Sequence, residues 1–127
     1  MSTSDPNIPA AFDVYTLVLL RLRADAPAMS EDDLAELQAR HLAYRAQLRR
    51  DGVLVVNGPC REQSDTSFRG ASIFACDVTE AARLSDADPS VMAGRLGYDV
   101  MQWWVAADTL GFPLANQPVG QRRSLGS

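Results

Sequence analysis

The chain holds a single histidine, His41, in a place where a leucine would pack better. Leu34, Leu37, His41, Tyr44 and Leu48 step along the chain by 3, 4, 3 and 4, a spacing that keeps side chains on one face of an α-helix. An imidazole has a reference pKa of about 6.5, so a modest change of surroundings poises it as a general base or acid near neutrality. A carboxylate on one ring nitrogen fixes the tautomer and stabilises the imidazolium, leaving the other nitrogen to face a substrate. Asp88 is the best-placed carboxylate. It follows Ala81 at i+7 and Leu84 at i+4, on or just beyond the apolar face of a second helical segment. Asp86 is an alternative, but it lies off that inner face. A buried His–Asp pair with no turnover is the competing explanation of the same two residues.

Other side chains are candidates for a pocket wall. Tyr44 is one turn beyond His41 on the same stripe and has a hydroxyl to donate, although an amphipathic core tyrosine explains it equally well. Asn57 suits a substrate carbonyl, with a turn-forming asparagine the stronger reading. Arg69 suits an anionic substrate, with a solvated strand arginine the more common case. Tyr15, Phe74, Trp103 and Trp104 lie on strand-like segments. Core or interface packing accounts for them better than a cofactor box, and of the adjacent tryptophans one ring is expected toward the helices and the other toward the opposite sheet face.

The elements that must position these groups can be read in order. Residues 1–11 form an irregular, proline-bearing arm. Phe12 to Arg23 is rich in β-branched, aromatic and leucine residues and reads as a strand. Ser30 caps a helix running to Asp51, with Glu31, Asp32 and Asp33 at its positive end. Arg45, Arg49 and Arg50 suit its negative end, and Gly52 stops it. Val53 to Val56 is a short strand turning at Asn57-Gly58-Pro59, and Phe68 to Cys76 pairs with it as a hairpin, Gly70 allowing a bulge or close approach. Thr79 caps a helix from Glu80 to about Asp86, which Pro89 interrupts. Tyr98 to Ala106 is the fourth strand, and 108–127 is a tail.

Composition narrows the function classes. With 127 residues, 46% hydrophobic and 22% charged, the chain suits one globular domain, here 12–107. A net charge of -4 without any basic run argues against nucleic acid as a partner. All 12 basic residues are arginines, so neither a lysine Schiff base nor a phosphate-binding P-loop lysine is available. Cys60 and Cys76 form no C-x-x-C pair, and with one histidine there is too little for a zinc site. Whether the two form a disulfide is open. No signal peptide or membrane-length apolar run is evident, so the expected compartment is the cytoplasm, without membrane association.

The order β-α-β-β-α-β predicts a ferredoxin-like α+β fold, a four-stranded antiparallel sheet with both helices on one face. The bare sheet face predicts a homodimer. From Phe12 to Ala106 the chain resembles the YCII-related family. The resemblance is carried by Arg40-His41-Leu42-Ala43-Tyr44, by Gly52-Val-Leu-Val-Val-Asn-Gly58-Pro59, and by Asp88-Pro89 followed by Ala93-Gly94. It implies a dimeric α+β barrel whose active-site dyad maps onto His41 and Asp88. Ser90 stands where the family commonly has an aromatic residue.

The resulting expectation is a cofactor-free acid–base enzyme, an isomerase or lyase in which His41 takes a proton from a small cyclic substrate. A dimeric-barrel oxygenase, a haem protein with His41 as axial ligand, and a non-catalytic small-molecule-binding accessory protein are the alternatives.

Overall fold

A computed structural model of the protein describes residues 5–111, so most of the expected tail lies outside the described residues. Seven elements follow in order: β1 (Phe12–Leu22), α1 (Glu31–Arg50), β2 (Leu54–Pro59), β3 (Phe68–Phe74), α2 (Val78–Asp86), α3 (Pro89–Met92) and β4 (Leu96–Ala106). They form a four-stranded antiparallel sheet of order β2-β3-β1-β4 with the helices on one face. Because β3 lies between β1 and β2, the chain must cross over it through α1, which is the split β-α-β crossover of the ferredoxin-like fold.

Residues 14–104 form one compact unit. In a second, residues 5–13 and 105–111, the Ala107 amide donates to the Ala11 carbonyl and the Asp108 amide to the Asp13 carboxylate. No helix among the described residues is long and apolar enough to cross a membrane.

Local chemistry explains the longest helix. Ser30 Oγ accepts from the Asp33 amide at 3.1 Å, which satisfies one of the orphan donors of the first turn. Past the C-cap Asp51, Gly52 adopts φ +78°, a conformation that a side chain disfavours. The buried stripe of α1 is Leu37, His41, Arg45 and Leu48, with Leu34 and Tyr44 only half-buried. The stripe is thus rotated from its expected line, and Arg45 faces inward rather than serving the helix terminus.

Along β1, Thr16, Val18 and Leu20 are buried and the intervening residues half-buried, the period of two of a sheet strand. Val18 and Leu20 join Leu48, Leu54, Phe74, Ala81 and Leu96 in the core. Burying each larger member of that set stabilises the fold by roughly 1.5–3 kcal/mol.

Several boundaries differ from expectation. Helix α2 begins at Val78 because the Asp77 side chain, not Thr79, accepts from the Glu80 amide at 2.8 Å. The end of α2 at Asp86 is as expected, with Ala87 its C-cap, and Asp88 just beyond is the N-cap of α3. Strand β2 does not turn at Asn57 but continues to Pro59.

Register shifts in β2 and β3 set which way two polar side chains point. Leu54 faces Phe74 and Val56 faces Ile73, so Val55 is an extra residue in β2. Beyond this bulge Asn57 pairs with Ser72 and shares its helix-facing side, where an unbroken alternation from Leu54 would have turned Asn57 away. Likewise Leu20 faces Gly70 and Arg21 faces Phe68, which makes Arg69 the extra residue in β3.

Candidate active site

His41 enters from the middle of α1 and is 9% exposed, while Asp88 is wholly buried. His41 Nδ1 lies 2.8 Å and 2.9 Å from the two carboxylate oxygens of Asp88. A carboxylate accepts and does not donate, so this pairing puts a hydrogen on Nδ1 and leaves Nε2 as the other functional edge of the ring. The carboxylate is itself held from the backbone side. Asp88 Oδ1 accepts from the Ser90 amide at 2.9 Å, with Pro89 opening α3. The Asp-Pro-Ser run therefore builds a helix cap and aims the same carboxylate at the histidine.

Arg45, one helical turn past His41, is 2% exposed. Its Nη2 donates to Asn57 Oδ1 at 3.1 Å and to Ser72 Oγ at 2.9 Å, and its Nη1 lies 3.9 Å from Asp88 Oδ2. The guanidinium also lies over the Phe74 ring, 5.5 Å from its centroid. Burial pushes the Arg45 pKa down and the Asp88 charge pushes it back up. An arginine remains charged under such a shift, so Asp88 is shared between a cation and an imidazole. Nε and Nη1 of Arg45 and the hydroxyl of Ser85 have no hydrogen-bond partner among the described residues.

The imidazole forms part of the wall of a cavity of about 220 Å³ lined by Leu20, Gln38, His41, Leu42, Asn57, Gly58, Pro59, Arg69 and Gly70. Asp88 is not in that lining. It stands behind His41, on Nδ1, so Nε2 is the edge of the ring that a molecule in the cavity can meet. Gly70 packs closely at this wall, where an added Cβ would lie 3.3 Å from the Gly58 carbonyl oxygen.

Of the candidates from sequence, the structure brings His41, Asn57 and Arg69 to one cavity, with Asp88 directly behind. It does not bring Tyr15, Tyr44 or Trp103 there. The Tyr44 hydroxyl donates to the Leu84 carbonyl at 2.6 Å and ties α1 to α2, and burial pushes its pKa up, with Asp88 adding to the effect. Tyr15 lies on the half-buried side of β1. Trp103 and Trp104 are both exposed, at 41% and 58%, so the expectation that one ring packs beneath the helices fails; they lie on β4, an edge strand. Asn57 is a strand residue and not a turn former, because of the bulge before it.

Sequence reasoning missed Arg45 and Ser72. The available signal for Arg45 was its i+4 spacing from His41, which competed with a common role for arginine near a helix C-terminus. Among the described residues no three His, Cys, Asp or Glu side chains are grouped to hold a metal ion. Cys60 and Cys76 are free thiols, with burial raising the pKa of Cys76.

The class defined by this arrangement is a ferredoxin-like α+β protein with a buried His–Asp pair behind a small cavity. Residues 17–104 match the YCII-related domain, and the chain belongs to the YCII-related family. Among solved structures it is similar to the 5-chloro-2-hydroxyhydroquinone dehydrochlorinase from Burkholderia phenoliruptrix AC1100 in complex with 2,5-dihydroxybenzoquinone. The TM-score is 0.51 and the identity 21%, over 70% of this chain and 92% of that one, a likeness of fold. No curated protein sequence matches the chain.

Proposed function

We propose that the protein is a small-molecule enzyme working by general acid–base catalysis through His41 and Asp88, without a cofactor. His41 Nε2 takes a proton from carbon in a substrate held in the cavity, and the electron pair of the broken C–H bond moves into the substrate. The proton is then returned at another carbon, giving isomerisation, or a leaving group such as halide departs with an electron pair, giving elimination. Asp88 fixes the ring through Nδ1 and stabilises the imidazolium formed in the step. The observation that carries this reading is the pairing of His41 Nδ1 with a wholly buried Asp88 while the same ring lines a cavity.

A cavity of about 220 Å³ suits a single-ring molecule, since pockets for drug-sized ligands span roughly 300–1,000 Å³. The structurally similar dehydrochlorinase supports elimination from a chlorinated, hydroxylated ring as the first reaction to assay. Chloride release from chlorinated hydroquinones and isomerisation of small unsaturated lactones are the two screens. His41→Ala is expected to lower turnover by about 10²–10⁴-fold, the range for loss of a positioned acid–base group. Undiminished turnover in that variant would overturn the reading.

Val56, Met101 and Trp103 expose apolar surface on the strands, which supports pairing of two copies through the sheet. Sedimentation velocity tests it, a monomer across the micromolar range being the contrary result.

A further inference from the structure

The lining of the cavity holds a cation and no carboxylate, and the buried arginine beside it sets what Asn57 can offer there. Arg45 has only donors, so the Asn57 atom it meets at 3.1 Å must be the amide oxygen. Ser72, the second acceptor on Nη2, passes its own hydrogen to the Val18 carbonyl at 3.2 Å and is committed to the core. With its oxygen turned to Arg45, Asn57 can offer the cavity only the N–H bonds of Nδ2. Arg69, the extra residue of the β3 bulge, lines the same cavity, and no carboxylate among the described residues pairs with it. No aspartate or glutamate is in the lining. Gln38 adds a neutral carboxamide, so the cavity presents the Asn57 amide donor, a guanidinium and the Nε2 edge of His41, with no carboxylate opposite them.

We propose that Asn57 Nδ2 and Arg69 form an oxyanion subsite, and that the substrate carries a carbonyl oxygen (for a phenol, that of its keto tautomer) conjugated to the carbon that loses its proton. Arg45 is the positioning residue that fixes the amide of Asn57. This rests on the acid–base reading and specifies its substrate class. In the step, the C–H electron pair forms a new C=C bond, the carbonyl π pair moves onto oxygen, and the proton goes to His41 Nε2. Donors aimed at that oxygen stabilise the charge as it develops. The oxyanion then collapses to expel a leaving group or is quenched by proton return.

The test uses 2,4-dinitrophenolate and its neutral methyl ether, 2,4-dinitroanisole, which share a ring and differ in the charged oxygen. Isothermal titration of the full chain should show phenolate bound about tenfold or more tighter than ether, and Asn57→Ala or Arg69→Ala should each remove about tenfold of the phenolate affinity while leaving the ether unchanged. Asn57→Asp keeps the contact to Arg45 but turns an acceptor to the cavity, so it should abolish phenolate binding with the fold intact by circular dichroism. Arg45→Met should lose the discrimination between the two probes, which a purely structural role would not alter selectively; if that variant does not fold, Asn57→Asp decides the matter. His41→Ala should retain the phenolate preference. Retention separates this subsite from the acid–base reading, which falls only if His41→Ala still turns over. Equal affinity for the two probes, absence of phenolate binding at millimolar concentration, or an unaltered preference in Asn57→Ala or Asn57→Asp overturns the subsite.

Discussion

Replacing Asp88 by asparagine isolates the charge of the buried carboxylate from its shape. Asparagine is as good an N-cap as aspartate, so the bond from the Ser90 amide that opens α3 can persist. One amide oxygen can also still accept from His41 Nδ1. What disappears is the negative charge 3.9 Å from Arg45 Nη1, in a place where Arg45 is 2% exposed and Asp88 not exposed at all. At that distance and an effective dielectric constant of about 20, the attraction is worth about 4 kcal/mol. That figure agrees with the roughly 3–5 kcal/mol lost when one partner of a buried pair is removed. The expected loss is therefore about 3–4 kcal/mol, which lowers Tm by roughly 10–15 °C for a chain of this size.

Urea unfolding followed by tryptophan fluorescence and circular dichroism measures it, with Arg45→Met and the double variant completing a cycle. The double variant leaves no uncompensated buried charge and should regain at least about half of the combined single losses. Stability of Asp88→Asn within about 0.5 kcal/mol of the parent, or simple additivity in the cycle, would refute the claim that Asp88 neutralises Arg45.

The other expectations concern groups outside the cavity. Burial and a hydrogen bond donated to Asp86 push the Tyr98 pKa up to about 12. The unfolded chain loses that proton near pH 10, so the stability Tyr98 contributes is fully present below about 10 and is lost as pH rises toward about 12. Urea midpoints should fall across that window, and Tyr98→Phe should flatten the fall. Tyr44→Phe removes the bond to the Leu84 carbonyl and should cost about 1 kcal/mol in urea unfolding, leaving phenolate affinity unchanged because Tyr44 is not in the cavity wall. Ser30→Ala removes the cap of α1 and should likewise cost about 1 kcal/mol, read from the same urea curves.

How much of the fold and site was legible in the chain divides along the range of the interactions concerned. The cap at Ser30, the stop at Gly52, the apolar period of α1 and the β-branched run of β1 are signals within a few residues of one another. They led to the β-α-β-β-α-β order and hence to the sheet with helices on one face. His41 was conspicuous for the same reason, as an exception inside a local pattern. Even local signals competed where two residues suited one role, as Asp77 and Thr79 did for the start of α2. There the decision belongs to whichever side chain meets the Glu80 amide.

The placement of the remaining site residues depended on contacts between distant segments. Asn57 faces the helices because Val55 is bulged out of register against β3, and Arg69 is the extra residue of a second bulge; pairing between strands decides both. Arg45 is a helix-terminus arginine by its neighbours in sequence. It is a buried cation only because Ser72, Asn57 and Asp88 converge on it from three other elements. The sequence by itself determined the elements, their order and the one titratable ring in the apolar stripe. Tertiary structure alone decided which cation and which amide join His41 and Asp88, because Arg45 is held by partners from other elements and a register shift of one residue reverses the face a strand residue presents.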